Sequence, residues 1–226
     1  MKALILAAGR GERMRPLSDT CPKPLMTVRG KRLIEWHLEA LARAGVREVV
    51  VNTAWLEEQF PAALGDGSRF GLRIDYSFEG RDHGGALETA GGIAKALPLL
   101  GDVFWVVSGD IFAPDFPYDP ADAAAFAAGD ALSELWFVQN PPFHPGGDFG
   151  IDAQGRVRRD VEPKLTYANL ALFRASLFAD VAPGTFLPLR PKFEEAIDRG
   201  ALRGRVWPGT WANLGTPAQL AALQQP

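Results

Sequence analysis

Hydrophobic residues in this chain gather in short continuous runs, separated by stretches where they recur every three or four positions. The runs at 3–7, Glu48–Thr53, Leu72–Tyr76 and Val103–Val107 are rich in Val, Ile and Leu. Unbroken apolar runs of this length predict strands buried on both faces. The intervening stretches have helical spacing. Leu33-Ile34, His37-Leu38 and Leu41-Ala42 share one face and stop at Gly45, while Thr89–Leu97 aligns Ile93, Ala94 and Leu97 and stops at Pro98. Strand–helix alternation of this kind predicts an α/β fold: a single-domain, Rossmann-like mixed and mostly parallel sheet flanked by helices. In open sheets of that type, ligands sit beyond the carboxyl ends of the strands.

From about Pro114 the pattern loosens. It predicts a small helix over Ala121–Ala128, strands at Glu134–Val138, Leu165–Phe173 and Val206–Leu214, and a helix over Phe193–Arg199. A last helix should start at Thr216-Pro217, with Thr as N-cap and Pro in the first turn. The segment from Asn140 to Gly147 holds too many prolines and glycines for either element and is expected to form an ordered loop beside a ligand.

The first strand opens directly into Gly9-Arg10-Gly11-Glu12-Arg13, followed ten residues later by Pro22-Lys23-Pro24. Gly9 and Gly11 allow close backbone approach and φ values closed to other residues. Consecutive N–H groups in such a turn form a concavity for anions, to which Arg13 adds a fork and Lys23 a point charge. The alternative is a plain tight turn. The loop is not a dinucleotide fingerprint, whose third glycine is replaced by Met14, and the P-loop string Gly-Lys-Ser/Thr is absent. Residues 1–32 carry eight basic against two acidic side chains, although the chain as a whole has a net charge of -3. A basic focus on an acidic protein favours a compact polyanion over a nucleic-acid duplex.

Other classes find little support. No apolar run approaches a membrane span of roughly 20 residues, and the first run is too short for a signal peptide. The single cysteine, Cys21, suits a reducing cytoplasm and reads as a loop residue. His37, His83 and His144 show no zinc-ligand spacing. Two further strand ends carry polar residues. Phe104–Ser108 leads through Gly109 to Asp110, which is either a Mg²⁺ ligand or a turn aspartate. Trp211-Ala212-Asn213-Leu214-Gly215-Thr216 ends on Asn213, which either offers its amide oxygen to a metal or caps the last helix.

Taken in order, Leu-Ala-Ala-Gly-x-Gly-x-Arg, Pro-Lys-Pro-Leu, Gly-Asp and Trp-x-Asn-x-Gly-Thr resemble the sugar-1-phosphate nucleotidyltransferases across nearly the whole chain. The strings at 11–17, 52–56, 65–72, 87–93 and 96–102 are most similar to the branch that makes UDP-N-acetylmuramate in bacterial cell-wall recycling. The resemblance implies that UTP and a sugar 1-phosphate react to release pyrophosphate, with Mg²⁺ as cofactor and no nucleic-acid or membrane partner. It assigns residues 1–113 to the nucleotide and 114–226 to the sugar phosphate. Ala8, Gly9, Gly11, Glu12, Arg13, Lys23, Glu79 and Glu88 would surround the nucleotide, with Glu79 as a base contact. Arg13, Lys23 and Asp110 would be catalytic, and Asp110 with Asn213 would hold the metal. Asp148, Lys164 and Asn169 would meet the sugar phosphate.

Two departures stand out. Asn213 replaces a more usual Asp, which weakens Mg²⁺ binding without abolishing it. A proline separates Glu162 from Lys164 where the family pair is adjacent. The competing expectations are a mannose-1-phosphate guanylyltransferase, a glucose-1-phosphate nucleotidyltransferase and, outside enzymes, a catalytically silent nucleotide-sugar sensor.

Overall fold

The computed structural model describes residues 1–224. Its frame is a seven-stranded sheet of β1 (Lys2–Leu6), β2 (Glu48–Thr53), β3 (Arg73–Phe78), β4 (Val103–Ser108), β5 (Ser133–Val138), β6 (Thr166–Arg174) and β7 (Leu202–Val206). The spatial order is β7-β5-β6-β4-β1-β2-β3. Every pairing is parallel except those of β6, which runs antiparallel to both β4 and β5. The sheet is therefore mixed and mostly parallel, as the periodicity predicts.

Alternation along β1 shows why both faces need cover. Ala3 and Ile5 pack with Ile34, Leu38 and Leu41 of helix α1 (Leu33–Arg43). Leu4, pointing the other way, packs with Ala90, Ile93 and Ala94 of helix α2 (Glu88–Ala96). Each such fully buried Leu or Ile contributes about 1.5–3 kcal/mol. Helices α3 (Pro120–Ala128), α4 (Arg190–Asp198) and α5 (Pro217–Leu223) complete the set that matters here. Thr216 caps α5 as expected, its Oγ1 accepting from the Gln219 N–H at 3.3 Å.

One expected strand is corrected. Val206–Leu214 is not continuous: β7 ends at Val206, Trp207–Trp211 is irregular, and Ala212–Asn213 forms a separate two-residue strand. Pro208 and Gly209 interrupt the ladder, and Trp207 turns inward to meet Phe116 edge-on at 5.2 Å. The periodicity also passed over β7 itself, whose Leu202-Arg203-Gly204-Arg205-Val206 string alternates polar and apolar as an edge strand does.

Candidate active site

The carboxyl ends of β1 and β4 open into a cavity of about 630 Å³. Its near wall begins with Leu6, Ala7, Ala8 and Gly9 at the end of β1. Gly11 takes φ +66, where a side chain would be strained, and a Cβ there would meet Lys23 Cε at 3.2 Å. Gly9 needs no such conformation: its own Cβ position is open, so only an approaching ligand would require its smallness. Gly11 and Glu12 shape this turn from behind, and neither lines the cavity.

Lys23 and Asp110 do line it, and they meet. Lys23 Nζ lies 2.8 Å from Asp110 Oδ2, while Ser108 Oγ donates to Asp110 Oδ1 at 2.7 Å. Gly109 allows this arrangement, because a Cβ there would lie 3.0 Å from the Leu6 carbonyl and 3.1 Å from the Pro24 ring. Asn213 arrives from about a hundred residues downstream through a two-stranded antiparallel pairing of Ile111–Phe112 with Ala212–Asn213. The Leu214 N–H donates to the Asp110 carbonyl at 2.8 Å. Asn213 Oδ1 is buried and has no hydrogen-bond partner among the described residues. A buried amide oxygen left unpaired beside a carboxylate is costly unless something electropositive completes it.

Arg13 lines the same wall, with its Nη2 3.5 Å from where a Gly215 Cβ would stand. It makes no side-chain ion pair or hydrogen bond among the described residues, so its fork is free for a ligand.

Beneath this wall lies His37, fully buried, its Nε2 2.8 Å from the Ile111 carbonyl and its Nδ1 3.2 Å from the Tyr118 hydroxyl. Burial lowers its pKa to about 4, so the ring is neutral at physiological pH. It then donates to Ile111 through Nε2–H and accepts the Tyr118 O–H at Nδ1, bracing the strand that begins one residue after Asp110.

Glu79 does not line the cavity, contrary to its expected role as a base contact. Its carboxylate is fully buried, accepting from Asn52 Nδ2 and from the Leu87 N–H at 2.7 Å. Asn52 Oδ1 in turn accepts the Ala7 N–H at 2.8 Å. The carboxylate thus ties the loop after β1 to the start of α2, and burial pushes its pKa up. Of the paired glycines of α2, Gly92 makes room for the tie and Gly91 for the backbone at Thr185. A Cβ on Gly92 would lie 2.4 Å from Glu79 Oε1, and one on Gly91 would lie 2.1 Å from the Thr185 carbonyl. Two glycines within an amphipathic helix were the available signal, since each costs about 1 kcal/mol against Ala unless space demands it. Glu88, at φ +62, does line the cavity beside Ala86 and Thr89.

The far wall is assembled from distant segments. Pairing of β6 with β5 slips between Tyr167 and Ala171, and within that bulge Asn169 takes φ +59 and faces the cavity. Asp148 is held on two sides, by the Tyr167 N–H at 2.8 Å and by His144 Nε2 at 3.1 Å. Phe143 and His144 bring the proline-rich loop to the cavity. Lys164 lies outside the lining; its backbone N–H bonds Glu162 Oε2 at 2.9 Å. Leu189, Arg190 and Phe193 at the start of α4 close the wall, and none of them was singled out from sequence.

The Nucleotidyl transferase family model matches residues 2–169. The chain belongs to the nucleotidyl transferase family. It is 45% identical to an N-acetylmuramate alpha-1-phosphate uridylyltransferase of Neisseria meningitidis, over 99% of this chain and 97% of that protein. The corresponding enzyme of Caulobacter vibrioides is 34% identical over 97% and 94%. A mannose-1-phosphate guanylyltransferase catalytic subunit beta of Danio rerio is 30% identical, covering 96% of this nucleotidyl transferase and 62% of that protein. HddC of Yersinia pseudotuberculosis superposes with a TM-score of 0.78 at 18% identity, over 99% of this chain and 98% of that one. That last likeness shows the fold alone. Among the described residues, no helix is long and apolar enough to cross a membrane.

Proposed function

We propose that the protein is a uridylyltransferase that joins UTP to N-acetylmuramate 1-phosphate, giving UDP-N-acetylmuramate and pyrophosphate. The observation that carries this reading is the convergence of Arg13, Lys23, Asp110 and Asn213 on one cavity mouth, in a chain 45% identical over its length to an enzyme of that name. The donor set also fits Mg²⁺. Asp110 supplies one carboxylate and Asn213 an otherwise unpaired oxygen, and such an ion draws its remaining ligands from phosphates and water. Bound there, Mg²⁺ would neutralise part of the triphosphate charge.

This chain's own residues do the rest. Arg13 grips the outer phosphates with its fork. Lys23 exchanges its Asp110 partner for the α-phosphate and the sugar phosphate, carrying a positive charge to the point where the two anions must meet. An oxygen of the sugar phosphate forms a bond to the α-phosphorus as the bond to the β-phosphate oxygen breaks, and pyrophosphate leaves with that electron pair. The attacking oxygen is already ionised at neutral pH, so no general base is required and the rate comes from positioning and charge. The near wall, from residues 1–113 with Asn213, serves the nucleotide; the far wall, from 114–226, serves the sugar phosphate.

Pyrophosphate release tests the reading. Turnover is expected with UTP, N-acetylmuramate 1-phosphate and Mg²⁺. Activity confined to GTP with mannose 1-phosphate would overturn the substrate assignment. Absence of turnover with every pair tried, despite nucleotide binding, would leave a sensor.

A further inference from the structure

Four basic side chains line the cavity: Arg13, Lys23, His144 and Arg190. The first two serve phosphates under the reading above, and His144 is engaged with Asp148. Arg190 remains. Its Nε donates to Glu194 Oε1 at 2.5 Å, and its guanidinium carbon stands 4.3 Å from the centre of the Phe149 ring. Both terminal amino groups lack a hydrogen-bond partner among the described residues, and the side chain is 56% exposed. Glu194 and Phe149 therefore fix the fork by one edge and one face while leaving its carboxylate-binding edge open.

Local helix electrostatics make this placement unusual. Arg190 is the first residue of α4, whose first turn has no acidic side chain and whose N-cap makes no side-chain hydrogen bond. A cation at the positive end of a helix is disfavoured, whereas an anion held there is favoured by dipole and guanidinium alike. Muramate differs from the other candidate sugars by one such anion, the carboxylate of its lactyl ether. Glucose, mannose and N-acetylglucosamine 1-phosphates have none.

We propose that Arg190 is a specificity-determining residue that receives a carboxylate borne on the sugar ring, thereby distinguishing an acidic sugar phosphate from a neutral one. The proposal rests on the muramate reading and adds to it the residue that enforces the choice. An Arg fork matches a carboxylate in two parallel hydrogen bonds, and a site built for a polar group rejects analogues that lack it.

The test compares wild type, Arg190→Ala and Arg190→Lys on N-acetylmuramate 1-phosphate and on its lactyl amide, which keeps the size and loses the charge. Wild type should favour the acid. Arg190→Ala should lose about thirtyfold in kcat/KM on the acid, mainly through KM, and less than threefold on the amide. Arg190→Lys should recover part of the loss, because it keeps the charge without the fork. An unchanged KM for UTP and an unchanged melting temperature exclude a folding defect. Equal losses on acid and amide, or none on either, overturn the role of Arg190 while leaving the uridylyltransferase reading intact. If wild type turns over neutral sugar phosphates but not the acid, the muramate reading falls and the proposal falls with it.

Discussion

The two walls of the cavity are built by opposite means. The near wall hangs from adjacent parallel strands, β1 and β4, and the loop after β1 folds back so that Lys23 lies 2.8 Å from Asp110 of the Gly-Asp turn after β4. It is backed by buried hydrogen bonds through Asn52, Glu79 and His37. The far wall collects a bulge in β6, a proline-rich loop and a helix start, with polar groups half open to solvent. A preorganised wall suits chemistry common to all substrates, and an adaptable one suits a choice among them.

The contrast is open to test. The largest effects should come from the near wall and should not depend on the sugar. Lys23→Ala and Asp110→Ala should each lower kcat about a hundredfold with any sugar phosphate accepted, measured as pyrophosphate release. Near-normal turnover in a folded Asp110→Ala protein would remove the metal assignment. Next comes Gly92→Ala, which forces a methyl into the Glu79 carboxylate and should cost about 2–3 kcal/mol in chemical denaturation. It should also raise KM for UTP while sparing the sugar phosphate; a shift in sugar KM instead would mean that the walls are not separable.

Smaller effects sharpen the picture. Asn213→Asp adds a charge to the metal pair and should tighten Mn²⁺ binding about tenfold, read by the paramagnetic resonance signal of free Mn²⁺. No change would remove Asn213 from the proposed metal pair. The smallest effect concerns His37, whose folded pKa of about 4 lies below its ordinary 6.5. The unfolded chain therefore binds more protons in acid, and its neutral burial favours folding most above pH 6.5. That contribution should shrink by about 1 kcal/mol between pH 7 and 5.5. A His37→Gln protein should show a correspondingly flatter pH dependence of stability, and an unchanged slope would contradict the neutral bridge to Ile111.

The difference between the walls also decided what the chain revealed before folding. The Gly9–Arg13 loop and Asp110 were legible because each follows an apolar strand within a few residues, so strand direction alone delivers them to one edge; Lys23, farther along the same loop, was legible through its charge in a basic segment. Asn169 and Asp148 were legible only through resemblance, and Asn213 only as a strand-end amide of undecided role, since nothing local reports a bulge or a pairing a hundred residues away. Glu79 shows the opposite failure. A carboxylate that binds a ligand and one that ties two loops together look alike in sequence, and only burial separates them. Arg190 went unnoticed because the helix was expected to begin at Phe193, which left the arginine in a proline-flanked linker. Lys164 carried a family expectation onto a segment whose proline sets it apart from the family pattern, and its side chain stands outside the cavity lining.

The two-residue pairing of Ile111–Phe112 with Ala212–Asn213 carries a consequence for how the enzyme is born. On the ribosome, the loop after β1 and the Asp110 turn emerge together, yet Asn213 follows only about a hundred residues later. Until that last segment docks, Asp110 lacks its neighbour and the neck of the cavity lacks one side. On the reading proposed above, the pair of Asp110 and Asn213 is complete only once synthesis has run through Asn213.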